Sequence, residues 1–512
     1  MILQLALWIA GVALLGFVAS ALALRSWNRF ARRARGPVVT CLPRGDRPTD
    51  LDRLLDPLEA AHEGKAGLAT LLDGREAFAA RCASAALVGR SLDVITYIWT
   101  TDTSGWLLMD EVMAAADRGV RVRLLLDDVH VQGFDLAFLS LSQHPNIEVR
   151  LFNPLRSRGH WLRRGLEMLL GMTRFNRRMH GKVWIADGRL AILGGRNVAD
   201  TYFAAPGSGV RHSADADMIL TGPPLAKAEA LFDSYWNLGL SLPILTLWPK
   251  LNLSLRRFRR KLHRKSQAPL AAGYRSAALA GRAAGAILTG RLRWTSEVEL
   301  FADPPDKAFG RKPGLWMAES IRDLIDGTRH SLRLTTPYFV PGTEGLAALT
   351  ALAARGVKVS VLTNSLSATD IFAVHGAYSH YRLPLVAAGA RLFEYAPPRN
   401  ARGQRGLLHS KIFLFDDDRA LVGSYNFDLR SYHTNIELGL LFREADLVAE
   451  LSALFERQTA PDQAFDVTIE GGALHWNVVE DGRAGRERAE PEAGLFRRIG
   501  AWAIARLPHD YF

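Results

Sequence analysis

Two stretches of this chain carry the same reactive residues at the same spacing. His180-Gly-Lys182 is followed by Asp187 and then by Gly194-Gly195-Arg196-Asn197; His409-Ser-Lys411 is followed by Asp416 and then by Gly423-Ser424-Tyr425-Asn426. Both fit the template H-x-K-x4-D-x6-G-[GS]-x-N without a gap. A His and a Lys two apart share one face of a strand. Together they supply fixed positive charge and a group that titrates near neutrality. An asparagine donor and a small-residue turn, where a ligand can approach the backbone closely, complete a seat for a phosphate. A divalent metal is not expected, because two ammonium groups would repel it and metal sites draw on carboxylates and neutral imidazoles. Two such half-sites point to one imidazole attacking phosphorus while the other protonates the leaving oxygen.

The elements that must hold these residues are legible around them. Val183-Trp184-Ile185 and Ile412-Phe413-Leu414 read as buried strands, Asp187-Gly188 and Asp416-Asp417-Asp418 as turns into a second strand. Asp187 and Asp416 therefore read as turn-forming members of the motif rather than as acid–base groups. Upstream, a helix from Glu76 to Val88, a strand from Ser91 to Trp99, a helix from Trp106 to Arg118 and a strand from Val120 to Leu126 form a β-α-β unit, which predicts a mostly parallel sheet. The same order returns with Ser331 to Phe339, Leu346 to Arg355, and Arg355-Gly356-Val357-Lys358-Val359, which echoes Arg118-Gly119-Val120-Arg121-Val122. The chain is thus a two-lobe duplication rather than a solenoid, which would need more and shorter repeats. The expected divisions are an apolar segment 1–24, a basic juxtamembrane segment and linker 25–65, a first lobe 66–245, a basic connector 246–295, a second lobe 296–460 and a tail 461–512.

Residues 1–24 contain no charged side chain and are long enough to cross a bilayer as a helix. Arg25, Arg29, Arg32, Arg33 and Arg35 follow, which places the rest in the cytoplasm by the positive-inside rule. A cleaved signal peptide is the competing reading, but the segment opens with no Lys or Arg. The net charge of +12 over 512 residues favours an acidic partner, either anionic lipid or nucleic acid. Between the lobes Lys250, Arg256, Arg257, Arg259, Arg260, Lys261, Arg264 and Lys265 interleave with Leu251, Leu253, Leu255, Phe258 and Leu262. A solvated linker helix, a helix lying on anionic headgroups and a nucleic-acid patch all fit that pattern. The region from Leu162 to Arg178 mixes leucine, methionine and arginine in the same way and would suit a lipid entering from a membrane. The tail holds a strand-like run Ala473 to Trp476 and an amphipathic helix from Leu495 to Leu507, explained equally by core packing and by membrane contact. Cys41 and Cys82 are the only cysteines, and a bridge between them is left open.

The paired motifs resemble those of the phospholipase D superfamily. Leu124-Leu125-Leu126-Asp127-Asp128, Phe175-Asn176-Arg177-Arg178-Met179-His180, Val374-His375-Gly376-Ala377-Tyr378 and Gly423-Ser424-Tyr425-Asn426 make the chain similar to bacterial cardiolipin synthases, in particular the subgroup that uses phosphatidylethanolamine. The resemblance implies two duplicated α-β-α lobes with mixed sheets packed face to face around one active site. It implies a phosphatidyl group moved between phospholipids through a phosphohistidine, with no cofactor and no metal. His180, Lys182, Asp187, His409, Lys411 and Asp416 form the paired motif, with His180 favoured as nucleophile. Asn197, Asn426 and Ser424 would bind phosphate. Glu437 and, by position, Asp217 would orient the imidazoles through Nδ1, although Asp215 sits two residues away and could serve instead. Gly195 stands where the second lobe has Ser424, so the half-sites are not equivalent. The implied partners are phosphatidylglycerol, phosphatidylethanolamine, an anionic membrane surface and a helper protein if one is required; nucleic acid is not expected. The implied location is the bacterial inner membrane, with the catalytic part facing the cytoplasm. A hydrolase releasing phosphatidic acid, a nucleic-acid phosphodiesterase and a silent membrane scaffold are the alternatives.

Overall fold

The computed structural model describes the chain except residues 132, 207–210, 250, 252, 281, 313–315, 401, 481–482 and 507–512. Lys250 of the basic connector and Leu507 at the end of the expected tail helix lie outside the described residues. Two large sheets repeat one strand order. In the first lobe it runs Ala66–Leu71, Asp217–Thr221, Leu190–Gly194, Val183–Ala186, Ser91–Thr96, Arg121–Asp127, Ile147–Phe152. In the second it runs Val298–Ala302, Leu438–Phe442, Arg419–Gly423, Ile412–Phe415, Ser331–Thr335, Lys358–Asn364, Arg391–Tyr395. The mostly parallel sheet expected from the β-α-β unit holds only for the last three strands of each series; the motif hairpin and its neighbours are antiparallel. The motif strands enter as hairpins, and a hairpin pairs antiparallel by construction.

The two sheets face each other across one apolar core. Leu68, Ile185, Leu193 and Met218 of the first sheet meet Ile412, Leu414, Val422 and Leu440 of the second. Neither lobe closes its own core on that side. The outer faces are covered by helices: Gly74–Leu87 and Thr103–Asp117 on the first lobe, Gly342–Ala354 and Phe372–Ala387 on the second.

Three segments depart from expectation. The basic connector is neither a free linker nor wholly a surface helix. Helix Leu255–Ser266 buries Phe258 and Leu262 in the first-lobe core, Arg259 pairs with Asp117, and Lys261 stands 5.1 Å from the Trp106 ring. Its Arg256, Arg257, Arg260, Arg264 and Lys265 remain exposed. Arg293–Thr295 then joins the edge of the first sheet. The tail contributes more than one short strand: Ala464–Glu470, Ala473–Glu480 and Arg483–Glu487 extend the second sheet. Helix Ile2–Ala34 continues past the apolar stretch, and its end docks on the first lobe. Trp27, Ala31 and Ala34 are buried there, Trp27 Nε1 donates to Pro154 O at 3.1 Å, and the Arg174 guanidinium lies 4.0 Å from the Trp27 ring. Cys41 and Cys82 are unbridged.

Candidate active site

Each motif histidine lies three residues before the first strand of its hairpin, Val183–Ala186 or Ile412–Phe415, and the residue before it is tied down by the end of a strand from the parallel part of the sheet. Asp127 Oδ2 accepts from Met179 N at 3.0 Å; in the second lobe Asn364 accepts from Leu408 N and donates to Leu408 O, both at 2.9 Å. These two anchors occupy equivalent ends of the strands Arg121–Asp127 and Lys358–Asn364. Asp187 and Asp416 sit at the far ends of the hairpins with φ of +55°. Asp187 accepts from the N–H groups of Gly89, Arg90 and Ser91, and Asp416 from those of Arg329, His330 and Ser331. They fasten the hairpin turn to the loop before the neighbouring strand and make no contact with either imidazole.

The lobes complete each other's half-sites. His180 Nδ1 lies 2.9 Å from Glu437 Oε2 of the second lobe, and His409 Nδ1 lies 2.7 Å from Asp215 Oδ2 of the first. The backbone interlocks in the same sense: His180 N donates to Ile436 O at 2.9 Å and His409 N to Ala214 O at 2.8 Å. Thus Asp215, and not Asp217, faces an imidazole. Asp217 is fully buried against Arg81 at 2.9 Å and accepts from Arg196 N. Sheet register explains the difference. Gly194 pairs with Asp217 and Gly423 with Gly439, so Asp217 corresponds to Gly439, and Asp215 to Glu437. Aligning the two strand starts, Ala-Asp-Ala-Asp-Met-Ile-Leu from Ala214 with Ile-Glu-Leu-Gly-Leu-Leu-Phe from Ile436, is the signal that finds it.

Ser424 also stands elsewhere than expected. Its hydroxyl donates to Glu437 Oε2 at 2.5 Å and accepts from Leu438 N at 3.0 Å, behind the histidine rather than toward a phosphate. Ser431 Oγ donates to the other oxygen of Glu437 at 2.8 Å. A glycine is needed at 195 because a Cβ there would come within 2.1 Å of Asp215 Oδ1. Two further residues escaped sequence reasoning: the rings of Tyr97 and Tyr202 pack edge-on against His180 and His409, each at 4.9 Å. They lie in apolar runs where nothing separates them from core aromatics.

Charge in the site is set by burial. Desolvation pushes His180 down to about 4, with Glu437 acting against it and Lys182 and Lys411 adding to it. His409 is lowered by burial and by Lys411, opposed by Asp215. Lys182 is pushed down to about 7 and Lys411 to about 8, chiefly by burial. Burial raises Glu437, but His180 and Lys182 outweigh it and hold the carboxyl near 2. Asp215 is likewise lowered against its burial, by His409 and Lys411. Each lysine acts on the other motif's histidine, so the two motifs share one site. Asn197 Oδ1 accepts from Ile98 N at 3.2 Å, whereas Asn426 Oδ1 is buried without a partner. A carboxylate on Nδ1 fixes that nitrogen as N–H and leaves Nε2 as the reactive atom. The arrangement offers two imidazoles each with Nδ1 on a carboxylate, two buried lysines and an amide whose oxygen has no partner.

A family model described as "Cardiolipin synthase, PLD-like domain" matches residues 82–236 and 321–459. Cardiolipin synthase C of Escherichia coli (strain K12) is 32% identical over 483 residues, which cover 89% of this chain and 98% of that relative. The chain belongs to the phospholipase D-like cardiolipin synthase family. Cardiolipin synthase 2 of Bacillus anthracis is 26% identical over 413 residues, covering 80% of this chain and 68% of that relative. Among solved structures, the phosphatidylserine synthase of Haemophilus influenzae Rd KW20 superposes with a TM-score of 0.55 at 15% identity, over 80% of this chain and 91% of its own; that likeness concerns the fold. As a member of this family the chain is a phospholipid phosphatidyltransferase, with duplicated lobes and an N-terminal apolar helix that fits membrane association.

Proposed function

We propose that this phosphatidyltransferase makes cardiolipin, moving a phosphatidyl group between two phospholipids through a covalent histidine intermediate. His180 Nε2 attacks phosphorus and the bond to the first headgroup oxygen breaks, while His409 Nε2–H gives that oxygen its proton. A second lipid's hydroxyl then attacks phosphorus, its proton passes to His409, and the bond to His180 breaks. The observation that carries this reading is the exchange of carboxylates between lobes: each imidazole has its Nδ1 on a buried acid from the other half. That fixes both tautomers and supports the positive charge each ring acquires in turn. Lys182, Lys411, Asn197 and Asn426 hold the phosphate oxygens. The phosphodiester's negative charge offsets the two lysines, which restores His409's affinity for a proton. Fixed donors in a dry site then stabilise the charge that develops on phosphorus's oxygens.

The lipids of this reading are phosphatidylglycerol and phosphatidylethanolamine, and the site works at the cytoplasmic face of the inner membrane. The exposed apolar helix Trp161–Leu170 beside the N-terminal helix supports a lipid arriving from the bilayer. Water competes as acceptor, and a second headgroup at high local concentration in the same membrane outcompetes it. Purified protein in mixed vesicles of the two lipids, with any helper supplied, is expected to form more cardiolipin than phosphatidic acid. Formation of phosphatidic acid alone would assign the chain to hydrolysis.

A further inference from the structure

The two half-sites repeat each other at their centres and differ at their rims. Ile98 and Tyr338 occupy equivalent positions, for Thr96 Oγ1 donates to Ile98 O at 3.0 Å and Thr336 Oγ1 to Tyr338 O at 2.9 Å. Ile98 is half-buried and carries no polar side-chain atom. Tyr338 donates its hydroxyl to Asp370, 3.0 Å from each carboxylate oxygen, and so fixes the direction the carboxylate faces. Asp370 is exposed, yet its charge acts on Lys411, Tyr202 and Tyr338. Since the Tyr202 ring packs on His409, Asp370 stands at the lip of the catalytic cavity on the His409 side.

This carboxylate is out of keeping with its surroundings. A phosphate site gains nothing from a negative charge at its entrance. The neighbouring arginines hydrogen-bond to backbone, Arg211 to the carbonyls of Arg405 and Ala368 and Arg497 to that of Thr369, although the Asp370 charge also acts on Arg211. Among the described residues Asp370 has the tyrosine hydroxyl as partner and no cation within ion-pair distance. Lys411 and Arg211 feel its charge without forming an ion pair with it, which leaves the carboxylate room for a ligand's ammonium. The chain continues directly into an apolar shelf. Ile371 and Phe372 are exposed, the terminal helix Leu495–Ile504 packs on Phe372 through Gly500, and Phe496, Ile499 and Trp502 extend the exposed surface. A phosphate seat, a carboxylate at its lip and an apolar shelf beyond match the phosphate, ammonium and acyl chains of a zwitterionic aminophospholipid.

We propose that Asp370, held by Tyr338, binds the ammonium of an amino-alcohol headgroup and so selects the aminophospholipid as the lipid whose headgroup is exchanged. This rests on the phosphatidyltransferase reading and adds the residue that makes the choice. The test compares release of ethanolamine from phosphatidylethanolamine with release of ethylene glycol from the isosteric neutral lipid, in phosphatidylglycerol vesicles, for wild type, Asp370→Asn and Tyr338→Phe. The ratio of kcat/KM values, amine over neutral, is expected to fall at least about tenfold in Asp370→Asn and in the same direction, by less, in Tyr338→Phe. A ratio that stays at the wild-type value, whether both rates fall together or neither does, overturns the proposal, since a carboxylate that merely ties the loop would affect both lipids alike. Wild-type protein that transfers from neither lipid would instead bring down the underlying reading of the reaction.

Discussion

At the scale of single residues, the distinction between Asp215 and Asp217 is the sharpest point for experiment. Asp215→Asn leaves His409 without the anion that fixes its tautomer, and in serine-protease triads the corresponding change lowers kcat about 10⁴-fold. A loss of that order with little change in Tm is expected here. Asp217→Asn breaks a buried pair with Arg81, which typically costs about 3–5 kcal/mol of stability, so its effect should show in Tm. Equal stability losses from the two variants would refute the division of roles. The lysines give a second prediction. With Lys182 at about 7 and Lys411 at about 8 in the empty site, part of their charge is absent at pH 8. A bound phosphodiester favours the charged forms and raises both values, so binding takes up protons and affinity falls as pH rises above about 7. Calorimetric titration of short-chain phosphatidylglycerol at pH 8 in buffers of different ionisation enthalpy should show net proton uptake, and release of protons would contradict the assignment. The motif residues were legible because a repeat within one chain supplies its own comparison. Asp215 was open between two candidates because the halves differ in loop length before the strand, so the strands have to be aligned on their own pattern, which the pairing register confirms. Ser424 was misread because a hydroxyl's partner depends on which lobe stands behind it.

At the scale of elements, the central strands and flanking helices of each lobe follow from periodicity and from the repeat, whereas the connector and the tail do not. Helix Leu255–Ser266 presents a narrow apolar stripe, Phe258 and Leu262, that a solvated, membrane-bound or packed helix would share; what decides is Asp117, distant in sequence, meeting Arg259. The tail strands are recruited by the free edge Arg391–Tyr395 of the second sheet, and an edge leaves no local mark in the strand that will cover it. The terminal helix leaves Phe496 90% and Trp502 59% exposed, so core packing does not account for that face. On the first lobe Trp161 and Leu169 are comparably bare, 72% and 68%. Such exposed apolar faces suit contact with the headgroup layer, which is open to test. Replacing Phe496 and Trp502 together by glutamate removes apolar contact and adds charge repelled by anionic lipid. Binding of the protein lacking residues 1–24 to anionic vesicles should drop at least about tenfold in co-sedimentation while Tm is kept. Unchanged binding would return this helix to an intramolecular role.

At the scale of the whole molecule, the membrane segment and the enzyme are one continuous structure. Among the described residues, the apolar part of helix Ile2–Ala34 is exposed from Trp8 to Val18 and none of its side chains up to Leu24 is buried, which fits a segment in contact with lipid. Its last turns are part of the first lobe's core: Trp27 is 5% exposed, under the Arg174 guanidinium and bonded to Pro154. Arg35 carries the contact on, donating to Asn237 O at 2.6 Å. Two truncations that sequence alone treats as equivalent are therefore expected to diverge. Removing residues 1–24 takes away the spanning part and leaves the docked turns, so flotation with liposomes should weaken while the Tm in detergent stays near that of the full chain. Removing residues 1–35 also strips Trp27, Ala31 and Ala34 from their seats, and losing one buried tryptophan typically costs about 3–5 kcal/mol. That second deletion should lower Tm by several degrees more than the first and reduce turnover even on detergent-dispersed lipid, because Pro154 and Arg174 flank the chain that leads through Arg178 to His180. Equal Tm values for the two truncations would mean that the docked turns add nothing to the lobe, and the helix would then act as a tether alone.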